Sequence, residues 1–265
     1  MALLDKILDK IGHLIAARLM TRKAGYEPYA AARPELLAAT LEPCDVVLVE
    51  GAPSKISSAI KFLTHSTWSH AALYVGPELG LETPDGEPLV LIEAELGEGV
   101  IASPLSKYER FNTRICRPKS LPDPERDAVI NYARARLGHA YDLRNVFDLM
   151  RYFLPNPPVP FRLQRRMLAL GSGDPTRCIC SSLLAQAFES VRYPILPTVE
   201  RRQTDPGVFE EVLHIRHHSL FAPRDFDVSP YFEVVKPTLR AGFDYRTFAW
   251  ADKLPDGMPF AEKVM

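Results

Sequence analysis

Leu3, Leu4, Ile7, Leu8, Ile11, Leu14, Ile15 and Leu19 recur at three- and four-residue intervals, the pattern of an amphipathic helix that ends near Gly25. Beyond it the pattern changes to short apolar runs bounded by proline and glycine. LEPCDVVLVEG (41–51) predicts a buried strand, and HAALYVG (70–76), PLVLIEAE (88–95), GVIASPLSKY (99–108) and NTRICRP (112–118) predict further strands. The intervening ETPDGE reads as a hairpin turn. PSKISSAIKFLTH (53–65) reads as a short helix with Ser54 as its N-cap. Residues 41–118 therefore predict a small, mainly antiparallel sheet.

Downstream the period lengthens. PDPERDAVINYARARLG (122–138) opens with proline and acids, places Val129, Ile130 and Ala133 at apolar positions and stops at Gly138, which predicts a helix. NVFDLMRYFL continues helically to Pro155, and NPPVPF follows as an extended connector, the clearest internal boundary. SSLLAQAFESV (181–191) predicts a helix with Leu183, Leu184, Ala187, Phe188 and Val191 on one face. From Pro194 the chain is rich in proline and charge, with the cluster HIRHH (214–218) and a strand-like YFEVV (231–235). The expected fold class is α+β: helices against a small antiparallel sheet or half-barrel, with residues 1–35 as an N-terminal helix and linker and 36–265 as one domain.

Composition narrows the function classes. The chain has 265 residues, 46% hydrophobic and 25% charged, ordinary for a globular protein. Basic residues number 32 and acidic residues 33, so no overall field favours nucleic acid, and none is expected as a partner. Cys44, Cys116, Cys178 and Cys180 lack the spacings of a disulfide framework or a zinc site, and no metal or other cofactor is expected. Asp5, Lys6, Asp9 and Lys10 interrupt any signal-peptide core, and no run reaches the length of a membrane span, so the expected location is cytoplasmic. Two readings stay open for the first helix. It packs on the body of the protein or on a second copy, or, with Arg18, Arg22 and Lys23 at its end, it makes peripheral contact with a membrane. The sequence does not fix an oligomeric state.

Candidate chemistry begins at Cys180, at the start of a predicted helix, where free amides and the helix dipole stabilise a thiolate. Arg177 just upstream adds to that field. The competing reading is a small buried apolar cysteine. A thiol nucleophile needs a base and a group to orient that base. His70 opens an apolar strand, which would hold its ring rigidly. Glu93 is an acid inside the apolar run VLIEAE, costly to bury without a partner. Taken singly, His70 also reads as a core histidine and Glu93 as an outward strand position. His65 reads as a helix-end residue, HIRHH as a solvated loop rather than a metal site, and Cys178 as structural or as half of a regulatory C-x-C disulfide. Trp68 either walls a cleft or fills the core.

In chain order, WSHAALYVG, LIEAELGEGV, LGHAYDL, CSSLLAQAF and APRDFDVSPYFE resemble the circularly permuted NlpC-type papain-like proteins, and most closely their YiiX-like, "lipo-like" branch. The resemblance spans roughly residues 36 to 235, and Cys44 stands where that family's opening strand more often has glycine. It implies a permuted papain-like core in which Cys180 is the nucleophile, His70 the base, Glu93 the orienting residue and Tyr141 a neighbour of the oxyanion site. Trp68 and Ser181 are placed as substrate-contacting residues. The implied activity is a thiol hydrolase cleaving an amide or ester bond of a small peptide, amide or lipid. The alternatives are a lipid acyltransferase, thioesterase or lipase resembling lecithin retinol acyltransferase, and a non-catalytic binding module on the same fold. The site requires the His70 ring within hydrogen-bond reach of the Cys180 sulfur.

Overall fold

The computed structural model describes residues 33–51, 54–95, 98–139, 179–205 and 208–247. The N-terminal amphipathic segment, Tyr141, the NVFDLMRYFL run, the NPPVPF connector, Arg177 and Cys178 lie outside these residues. Helix α1 (Pro34–Thr40) leads into β1 (Val46–Val49), α2 (Lys55–Thr64), β2 (His70–Tyr74), β3 (Leu89–Glu95), β4 (Gly99–Pro104), β5 (Thr113–Pro118) and α3 (Asp123–Arg134). Helix α4 (Ile179–Glu189), β6 (Thr198–Asp205), β7 (Val208–His214), α5 (Pro223–Asp227), β8 (Phe232–Val235) and α6 (Pro237–Arg240) follow.

The described residues form an α+β structure built on an antiparallel six-stranded sheet of order β4-β3-β2-β1-β5-β8. All four residues of β1 are buried, because both faces of the sheet are covered, and this is why the strand reads as a continuous apolar run rather than an alternating one. Val46 and Leu48 face a core made with Val129 and Ala133 of α3 and with Leu183, Leu184, Ala187 and Phe188 of α4. Val47 and Val49 face a second core with Leu37 and Leu41 at α1, Leu91, Tyr108 and Ile115. Each fully buried Leu or Phe of the α4 face contributes about 1.5–3 kcal/mol, which anchors that helix across β2 and β3.

Local signals explain most element ends. The Ser54 side chain accepts the Ser57 amide at 3.0 Å and starts α2, and His65 closes that helix in the left-handed region at φ 48°. Helix α3 gives way to a turn that ends at Gly138, with φ 78°. The run expected as one strand over 99–108 divides. Strand β4 stops at Pro104, which lacks a ladder donor, and Leu105–Tyr108 close into a 3₁₀ turn. The pair β6 and β7, unexpected from the sequence, forms a separate two-stranded hairpin whose Val199, Phe209 and Leu213 are exposed.

Candidate active site

His70 is the first residue of β2, and Leu73↔Ile92 and Tyr74↔Leu91 pair that strand with β3. Carried along this register, the two-residue period puts Glu93 and Glu95 on the same side of the sheet as His70. The His70 ring bonds through Nε2 to Oε2 of Glu93. Its second partner is Cys180, which hydrogen-bonds the ring. Nε2 is committed to Glu93, so Nδ1 is the ring nitrogen left for the sulfur. Cys180 lies in the first turn of α4 and is 4% exposed. The structure thus brings Cys180, His70 and Glu93 into one hydrogen-bonded row.

Glu93 is completely buried, yet it has a full set of donors. Oε2 accepts from the Tyr108 hydroxyl as well as from His70, and Oε1 accepts from the Lys107 ammonium at 2.7 Å. Lys107 also pairs with Glu95 and lies 3.4 Å from the Ser103 hydroxyl. Burial alone would raise the Glu93 carboxyl, but the bonds and charges of His70 and Lys107 outweigh it and hold the group well below the usual carboxylate range. On His70, burial pulls the imidazolium down, while the Cys180 sulfur and then Glu93 bring it up to about 10. Burial lifts the Tyr108 hydroxyl well above its ordinary value and the Glu93 charge adds to this, so it stays a donor. Burial opposes the Lys107 charge, but Glu93 and Glu95 more than restore it. The arrangement can therefore hold a thiolate–imidazolium pair beside a fixed anion.

No motif in the sequence marks Lys107 or Tyr108 as a site residue. The usable signal was the buried acid itself, since a carboxylate with no water needs more than one histidine to compensate it. The residues that supply the rest lie in the 3₁₀ turn just after the β3–β4 hairpin. Among the described residues, the metal-ligand atoms that converge are those of His70, Glu93 and Glu95, within 4.8 Å of one another. The Lys107 ammonium already bonds both carboxylates of that group.

Trp68 and Ser181, the residues expected to contact substrate, are both buried and each donates one hydrogen bond within the fold. Trp68 is 7% exposed, and its indole N–H donates to Asp227 Oδ2 at 2.9 Å. Arg114 lies over its ring at 5.0 Å, and its Nη1 donates to both oxygens of the same carboxylate at 2.7 and 2.8 Å. Ser181 is fully buried and its hydroxyl donates to the Phe221 carbonyl at 2.7 Å. His65 is exposed at the end of α2. In the HIRHH cluster, His214 pairs across the hairpin with Glu200 at 2.7 Å and both are exposed, while the His217 and His218 rings stack at 4.0 Å.

No protein-family model and no curated protein matches the sequence. No helix among the described residues is long and apolar enough to cross a membrane.

Proposed function

We propose that the protein is a cysteine-dependent hydrolase of amide or ester bonds on a permuted papain-like fold of the NlpC type. The observation that carries this reading is the row Cys180–His70–Glu93: a cysteine in the first turn of a helix, bonded to a histidine whose other ring nitrogen is held by a buried carboxylate. His70 takes the thiol proton on Nδ1, the thiolate attacks the substrate carbonyl, and the imidazolium returns that proton to the leaving group. Glu93 fixes the ring and stabilises its charge. The Cys180 backbone amide at the start of α4 is one donor to the oxyanion. A role there for Tyr141 comes from the family resemblance alone. Water then resolves the acyl-enzyme. Small peptides, amides and lipids are the substrate classes to test.

Iodoacetamide labelling of the full chain, read by peptide mass at each cysteine, tests the site. Cys180 is expected to label near neutral pH faster than an unperturbed thiol, and His70→Gln to slow it to the rate of one. If Cys180 labels no faster than an ordinary thiol and His70→Gln changes nothing, the reading fails and a binding module takes its place. A panel of short acyl esters, lipids and γ-D-glutamyl peptides then assigns the substrate, with Cys180→Ala expected to abolish turnover while leaving the melting temperature within a few degrees.

A further inference from the structure

An orienting carboxylate carries a hazard that an orienting amide lacks: it is itself a base. If Glu93 took up a proton from solvent while Cys180 was still a thiol, it would hold that proton toward Nε2, and the single hydrogen of the neutral ring would sit on Nδ1, facing the sulfur. The ring would then have no acceptor for the thiol proton, because a neutral imidazole has one N–H and one lone-pair nitrogen. Burial favours that protonation, since an apolar site penalises the carboxylate form. The structure supplies two counterweights from one turn. Lys107 places its ammonium 2.7 Å from Oε1, and Tyr108 donates to Oε2, the oxygen that faces His70. Lys107 is held independently of Glu93 through Glu95 and Ser103. The groups facing Glu93 are thus His70 from β2, Lys107 and Tyr108 from the 3₁₀ turn and Glu95 from β3, with Cys180 of α4 beyond the ring.

We propose that Lys107 and Tyr108 are positioning residues that occupy the lone pairs of Glu93, so that the carboxylate stays ionised and accepts the Nε2 hydrogen of His70. The consequence lies in the tautomer. With both donors present, the neutral ring keeps its hydrogen on Nε2, and Nδ1 is free to receive the proton from Cys180. The inference rests on the thiolate–histidine reading above, and its readouts differ from the test of that reading.

Two measurements on the full chain test it: the pH profile of Cys180 alkylation, and the ¹⁵N resonances of the His70 ring, which report where the hydrogen resides. Lys107→Met is expected to slow Cys180 alkylation at pH 7 by roughly tenfold, as loss of a charge beside a buried carboxylate implies, and to move the ring hydrogen to Nδ1. Tyr108→Phe should act in the same direction but less, and Lys107→Arg should restore the wild-type profile. In a Glu93→Gln background the orienting group cannot take a proton, so Lys107→Met should add a factor of about two or less. The inference is overturned if Lys107→Met leaves profile and tautomer unchanged, or if it costs as much in the Glu93→Gln background, which would make Lys107 a support for the fold alone. Should Lys107→Met not fold, Tyr108→Phe and Lys107→Arg carry the same test. Wild-type Cys180 that ignores His70→Gln refutes the thiolate–histidine reading, whereas a His70-dependent Cys180 that ignores Lys107→Met refutes only this inference.

Discussion

Two carboxylates in this sheet are fully buried, and they are held by opposite means. Asp45, just before β1, takes a planar fork from Arg117 of β5, with Nε at 2.8 Å from Oδ1 and Nη2 at 2.7 Å from Oδ2, and it also accepts the Glu42 amide at 2.8 Å. Burial outweighs these bonds and leaves its carboxyl above the ordinary value. Glu93 is bonded by His70, Tyr108 and Lys107 and sits below its ordinary value. The guanidinium of Arg117 never releases a proton, so the Asp45 cluster is a clamp with no chemistry to pass on. An imidazole, unlike a guanidinium, can release and take up a proton near neutral pH, and the second partner of His70 is a cysteine. Burial of an acid therefore does not mark a site. What marks it is a partner that can move a proton to a third group.

The largest expected effect lies at Arg117. Arg117→Met leaves Asp45 buried without its counter-charge and is expected to cost about 3–5 kcal/mol of stability, measured by urea unfolding. At temperatures where the variant is folded, the Cys180 alkylation rate should match the wild type. A slowed rate would show that the clamp and the site are coupled through β1, the strand that lies between β2 and β5.

A smaller effect follows pH, and its sign separates the two carboxylates. Glu93 lies below the ordinary 4.5, so its contribution is complete above that value and is lost as pH falls toward its lowered folded value. His70 lies above the ordinary 6.5, so its contribution is complete below 6.5 and is lost as pH rises through about 10. The melting-temperature gap between the wild type and a His70→Gln/Glu93→Gln double variant should be widest between these two ordinary values and narrow on either side. Asp45 is raised above 3.8, so ionising it opposes folding. The gap between the wild type and Asp45→Asn should therefore shift against the wild type as pH rises past 3.8 and then stay level. A site gap that is flat from acid to alkaline pH would show that His70 and Glu93 are not a charged pair.

The strands of the sheet were legible because each is an apolar run cut by proline or glycine, and α4 because its apolar positions repeat at helical spacing. Glu93 stood out as an acid inside such a run. Asp45, in PCDVVLV, offers the same signal, but nothing near it in sequence points to chemistry, and its partner Arg117 lies 72 residues on. Lys107 and Tyr108 fall within the run expected as a strand over 99–108, because a single proline after an apolar run does not distinguish a strand end from the start of a 3₁₀ turn. The β6–β7 hairpin was hidden for a different reason. Charge is spread along both strands, Arg201 facing Glu211 and Arg202 facing Glu210, so no buried face imposes a two-residue period. Cys180 and His70 lie on elements far apart in sequence, and neither composition nor periodicity could join them.

A third carboxylate lies between these extremes and offers the finest test. Asp227, at the end of α5, is half-buried and is bonded by both Arg114 and the Trp68 indole. Trp68 stands two residues before His70, so it belongs either to the clamp class or to the edge of the site. Its burial and its bond to an acid already paired with arginine favour the clamp. Trp68→Phe removes one hydrogen bond while Arg114 keeps Asp227 neutralised, so the expected cost is about 1–2 kcal/mol, read as a shifted urea midpoint with an unchanged slope. The Cys180 alkylation rate should stay within about twofold of the wild type, as expected for a site that shares no partner with the residue changed. A rate several-fold lower at unchanged stability would instead place Trp68 in the substrate cleft, and the boundary between clamp and site would then run through the loop that enters β2.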